Sequence, residues 1–79
     1  MTGYVMAATE ADGERLGERT VSTAPTLGEA AEFGGSHRTN YVSVRHGVDR
    51  ITLYGRDATG TWSLLVADAR QAELRHPFV

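Results

Sequence analysis

Between Asn40 and Ala67 the chain alternates apolar and polar side chains in three runs, separated by two turn signals. Tyr41–His46, Arg50–Asp57 and Thr61–Ala67 each carry the period of two expected of half-buried strands. Gly47-Val48-Asp49 and Asp57-Ala58-Thr59-Gly60 supply the residues that turn a chain back on itself. The spacing predicts a three-stranded antiparallel meander. Its inner face is expected to carry Val42, Val44, Ile51, Leu53, Leu64 and Val66. Its outer face would show Tyr41, Arg45, Tyr54 and Arg56, with Ser43 and Thr52 between them. Trp62 has the parity of Leu64 and Val66, and a slip of one residue would move it across the sheet.

The N-terminal part predicts a hairpin followed by a short helix. The run Tyr4–Thr9 ends at Glu10-Ala11-Asp12-Gly13-Glu14, and Asp-Gly is a strong signal for a tight turn, because both residues tolerate φ > 0. Strands are expected at about 3–10 and 15–22. The second of these is polar and has Gly17 near its middle, which suits an edge position. Thr26 and Glu29 have capping-box spacing, so each side chain can accept from the other residue's backbone N–H. The helix is expected to run from Leu27 to Phe33 and to stop at Gly34-Gly35. Leu27, Ala30, Ala31 and Phe33 form its apolar stripe, and two turns of helix require a sheet to lie on. Residues 68–76 read as a second short helix capped by Asp68 and ended by Pro77, with a sixth strand as the competing reading.

These elements define a single α+β domain spanning residues 1–79, with order β-β-α-β-β-β-α: an N-terminal hairpin and a three-stranded meander in an antiparallel sheet, with one or two short helices. From Thr26 the order α-β-β-β-α resembles that of double-stranded-RNA-binding domains. Those domains begin their last helix with Lys residues that grip phosphate. Here that place is Asp68-Ala69-Arg70-Gln71, so the departure falls on the groove-gripping residues themselves.

Composition narrows the chemistry. At 79 residues the core is thin. With no Cys, the chain has no disulfides, thiolate metal sites or Cys nucleophile, so stability rests on apolar packing or a partner subunit. All eight basic residues are Arg, which fits a GC-rich bacterial or phage genome. The formal charge of −2 conceals an asymmetry. Residues 1–35 hold six acids and two Arg, and residues 36–79 hold six Arg and four acids. His37, His46 and His76 add positive charge to the second part in mild acid. No stretch has the features of a signal sequence or approaches the length of a membrane span, so a cytoplasmic protein is expected, with no membrane partner.

Three function classes remain to be weighed. His37, His46, Asp49 and Asp57 could gather near the turns of the meander as acid and base groups, but no motif ties them together and no metal-ligand spacing is present. An enzyme, a cofactor and a metal are therefore not expected. The acidic hairpin residues Glu10, Asp12, Glu14 and Glu18 suit a basic protein partner. The expected function is a small non-enzymatic protein-interaction module, of the size of accessory or inhibitor proteins of bacteria, phages and mobile elements, with homodimerisation offsetting the thin core. The alternative is nucleic-acid binding, with Tyr41 and Tyr54 stacking bases and Arg45 and Arg56 pairing phosphates.

Overall fold

The computed structural model describes residues 3–10, 14–47 and 50–66. The expected second helix at 68–76, the Asp12-Gly13 turn and His76 lie outside the described residues. Strands β1 (Tyr4–Thr9) and β2 (Arg15–Val21) precede helix α1 (Leu27–Ser36). Strands β3 (Tyr41–Arg45), β4 (Ile51–Arg56) and β5 (Trp62–Val66) follow it. They form one sheet of order β2-β1-β3-β4-β5 with antiparallel neighbours throughout. The α+β architecture is that read from the sequence, and its described part contains one helix. The β2–α1–β3 connection returns the chain to the sheet beside β1, which puts β1 inside the sheet and leaves β2 and β5 as its edges among the described residues.

Helix α1 begins as its sequence dictates. Glu29 N–H donates to Thr26 Oγ1 at 3.2 Å, and Thr26 N–H donates to Glu29 Oε1 at 3.0 Å, completing the capping box. Its end differs from expectation. The helix passes through Gly34-Gly35 to Ser36. It stops at Arg38, which takes the left-handed conformation at φ 54°. Arg38 N–H donates to Gly35 O and Thr39 N–H donates to Gly34 O, both at 3.1 Å. That pair of bonds is the Schellman closure normally built on glycine. Gly34 has a packing role instead. A Cβ there would run into the Trp62 ring and come within 2.9 Å of Val42 Cγ2. The missing side chain lets the helix lie close on the sheet. Around Gly35 no atom of the described residues comes within 4 Å of the corresponding position.

The strand pairing decides the two faces of the sheet. Val42 lies opposite Tyr54 and Val44 opposite Thr52, whereas Ser43 lies opposite Leu53. Directly paired residues project to the same side, so Val42 and Val44 share a face with Tyr54 and not with Leu53. The expected inner face is corrected accordingly. The helix side buries Met6, Ala8, Val42 and Val44 against Ala30 and Phe33, with Tyr4, Val21, Tyr54 and Trp62 around them. Leu53 and Val66 form a separate cluster with Tyr41 on the other side. The cause is the β3–β4 connection. His46 N–H donates to Arg50 O at 2.9 Å, and the ladder keeps like parity together across the hairpin. The β4–β5 ladder then shifts register between Leu53 and Tyr54, so Leu64 faces Tyr54 and Val66 faces Leu53. The intervening Leu65 is the bulged residue. Leu64, expected inside, is 54% exposed.

The β4–β5 turn follows its sequence closely. Gly60 N–H donates to Asp57 O at 3.0 Å, Asp57 N–H donates to Thr61 O at 3.1 Å, and Gly60 has φ 88°. This is a type I turn followed by a left-handed glycine, the usual three-residue hairpin loop. Asp57 Oδ1 accepts from Thr59 N–H, Thr59 Oγ1 and Thr61 N–H.

Two substitutions separate the roles of the paired glycines. Gly34→Ala is expected to destabilise the fold by about 1–3 kcal/mol, since the added methyl overpacks the contact with Trp62 and Val42. Gly35→Ala meets open space in a helix interior and is expected to stabilise by about 1 kcal/mol. Chemical denaturation of the two variants would show shifts of opposite sign. A third substitution concerns Thr9, which is fully buried and whose Oγ1 has no hydrogen-bond partner among the described residues. Its near-isostere in Thr9→Val removes a desolvated hydroxyl, and the denaturation midpoint is expected to rise by the equivalent of about 1 kcal/mol.

Candidate interaction surfaces

The acidic residues of the first hairpin occupy two separate places. Glu10 N–H donates to Glu14 O at 3.0 Å, joining the chain on either side of the turn. Glu10 also lines a shallow depression of about 150 Å³ with Arg38, Asn40 and Tyr41. Glu18 lies farther along β2 opposite Ala7, on the sheet side away from the helix. It pairs with Arg15 at 2.5 Å. Together with Arg45 they rim a groove of about 110 Å³ floored by Val5, Ala7 and Ile51. Asp12 lies outside the described residues. The acids therefore do not form one patch: Glu10 and Glu14 mark the end of the hairpin, and Glu18 marks its flank. All of β2 is exposed or half-buried, as its polar sequence implied.

The Tyr/Arg group is split by the same register that sorts the core. Tyr41 lies opposite Gly55 and Arg45 opposite Ile51, on the side away from the helix. Tyr54 lies opposite Val42 and packs against the helix-side core. Arg56 lies opposite Trp62, and its Nε donates to Asn40 Oδ1 at 3.0 Å. The single outer face expected for Tyr41, Arg45, Tyr54 and Arg56 is thus two half-sets on opposite sides. Tyr54 contributes to packing, and Arg56 braces the loop before β3.

The histidines and acids considered for acid–base chemistry are also apart. His37 caps α1, with Nδ1 2.9 Å from Phe33 O and its ring over Gly17. His46 follows β3, stands edge-on to Tyr4 at 5.2 Å between ring centres, and places Nε2 2.5 Å from Thr52 Oγ1. Asp57 belongs to the turn at the opposite end of β4 from His46. Asp49 lies outside the described residues. Asp57 is held below the usual carboxylate range, chiefly by the Thr59 hydroxyl and then by the Thr61 N–H. That shift comes from the turn's own hydrogen bonds. Among the described residues, no group of three or more His, Cys, Asp or Glu is placed to hold a metal, and no helix is long and apolar enough to cross a membrane.

One surface escaped the reading of the sequence. Strand β5 is an edge among the described residues, and its residues, Trp62-Ser63-Leu64-Leu65-Val66, carry no charge. Leu64 and Leu65 are both exposed. The uncharged run was visible in the sequence, but its edge position follows from the strand order. Comparison of the chain with protein-family models, curated proteins and solved structures found no match.

The environment of His46 sets an acid response. Burial, and then the Arg50 charge, lower its pKa below the ordinary histidine value. The unfolded chain therefore binds this proton at higher pH than the native state does. Stability is expected to fall as pH drops below about 6.5, and this contribution levels off below the native pKa. Thermal melts across that window should show the loss, and His46→Gln should flatten it relative to wild type.

Proposed function

We propose that this protein is a non-enzymatic protein-binding module that docks a basic partner on the β1–β2 hairpin, through Glu10, Asp12, Glu14 and Glu18. The observation that carries this reading is the position of β2, an edge strand among the described residues, exposed or half-buried along its length, with Glu14 directly before it and Glu10 bonded to Glu14. An edge offers backbone hydrogen bonds to an added strand, and the acids select its charge. Arg15 and Arg19 interrupt the acidity of the strand itself, so the hairpin end supplies most of the attraction. The setting we propose is cytoplasmic, as an accessory or inhibitor protein of a bacterium, phage or mobile element. It rests on small size and on the use of Arg in place of Lys.

Nucleic-acid binding through Tyr41, Arg45, Tyr54 and Arg56 is the weaker reading. Base stacking along a strand needs aromatics on one accessible face, and the two tyrosines lie on opposite sides of the sheet.

Affinity capture from source-cell lysate, run with and without nuclease, tests the proposal. The double charge reversal Glu10→Arg with Glu14→Arg is expected to weaken capture of the bound protein about tenfold or more, equivalent to about 1.4 kcal/mol. Arg45→Ala and Arg56→Ala should leave capture close to wild type, and nuclease should not affect it. Capture that vanishes with nuclease, or that follows the Arg substitutions and ignores the acid reversals, would reject the hairpin as the docking site.

A further inference from the structure

We propose that the groove on the side of the sheet away from α1 binds a short aliphatic monocarboxylate. Its carboxylate sits on Arg45 and Ser43, and its apolar body lies on Val5, Ala7 and Ile51. The inference goes beyond the docking of a basic partner on the hairpin end and does not depend on it, although Glu18 borders both surfaces.

The strand register builds the groove. Val5 lies opposite Arg45 and Ala7 opposite Ser43 in the β1–β3 ladder, and Arg45 lies opposite Ile51 in the β3–β4 ladder. Paired side chains share a face, so these five project together on the side away from the helix. Ala7 and Ser43 are small and sit low in the middle. Arg45 stands on one side of them, and the Arg15–Glu18 pair of β2 stands on the other. The space between is about 110 Å³. That is on the order of four times the volume a water molecule takes in the liquid, enough for a short acid.

The second observation is Ser43 itself. It is 8% exposed, and its hydroxyl makes no hydrogen bond among the described residues. A buried hydroxyl without a partner costs stability, and native structures pair nearly all of them. This one lines the groove, where an oxygen of a bound molecule can accept from it.

The third observation is charge. Arg15 is taken up by Glu18 at 2.5 Å, whereas Arg45 makes no ion pair among the described residues. Two arginines against one glutamate leave a single positive charge around the groove. A monoanion neutralises it and a dianion overshoots. An amine is repelled by Arg45 and finds Glu18 already paired. A phosphate presents more oxygens than Arg45 and Ser43 can serve, and the floor of Val5, Ala7 and Ile51 offers the others no side-chain donor. A carboxylate presents two oxygens, which match the planar fork of a guanidinium, and the alkyl body behind it suits the floor. Ser43 and Arg45 are two residues apart on one strand, about 7 Å along it, so one carboxylate can lie between their side chains.

NMR titration of the full chain with isovalerate is the test, run beside acetate, which lacks the apolar body, and isoamyl alcohol, which lacks the charge. Saturable shifts are expected at Val5, Ala7, Ser43, Arg45 and Ile51, with isovalerate binding about tenfold or more tightly than either of the others. R45Q and S43A should each weaken isovalerate about tenfold or more, since each removes a hydrogen bond to a charged group. R38Q, which changes an arginine of the other depression, should leave it unchanged. The comparison of the three probes on the wild-type chain holds however the variants fold. Shifts that fail to saturate or that centre elsewhere would overturn the proposal. So would an alcohol that binds as well as the acid, or isovalerate affinity unmoved in a folded R45Q. A short peptide ending in a free valine carboxylate, if bound more tightly than isovalerate, would overturn the free acid as the occupant.

Discussion

The close approach of α1 to one side of the sheet is the constraint on which the structure depends. A ten-residue helix is marginal in water and must draw its stability from packing. Ala30 and Phe33 supply the apolar contact, and Gly34 lets the helix sit down on Trp62 and Val42. Trp62 belongs to the edge strand β5 and Val42 to the interior strand β3, so this contact ties an edge of the sheet to its centre. The closure at Arg38 and Thr39 then turns the chain directly into β3.

The two sheet edges are chemically unlike, and this contrast organises the functional reading. Strand β2 is polar, exposed or half-buried along its length, and follows directly on Glu14. Strand β5 is uncharged and presents leucine on both sides.

The side of the sheet away from α1 is mixed in character. Thr9 and Leu53 are fully buried there and Ser43 nearly so, while Arg45 and the Arg15–Glu18 pair remain at the rim. Thr9 brings an unsatisfied hydroxyl into that buried zone. This distribution explains why the Tyr41/Arg45 half-set stands apart from Tyr54 and Arg56, whose places are governed by the core and by Asn40.

Local sequence determined a large part of this protein. The capping box at Thr26/Glu29, the type I turn at Asp57–Gly60, the edge character of β2 and the five strand positions follow from side-chain chemistry within a few residues. Tertiary structure decided the rest. Gly34-Gly35 reads locally as a stop signal, yet the helix continues, because Gly34 is needed for contact with Trp62, far away in the chain. The faces of β4 and β5 were likewise not legible. Each strand alternates correctly by itself, but the joint phase depends on the β3–β4 register and on a bulge in β5. A one-residue difference in either moves every later side chain across the sheet. Alternation specifies two faces for a strand, and only pairing specifies which of them meets the helix.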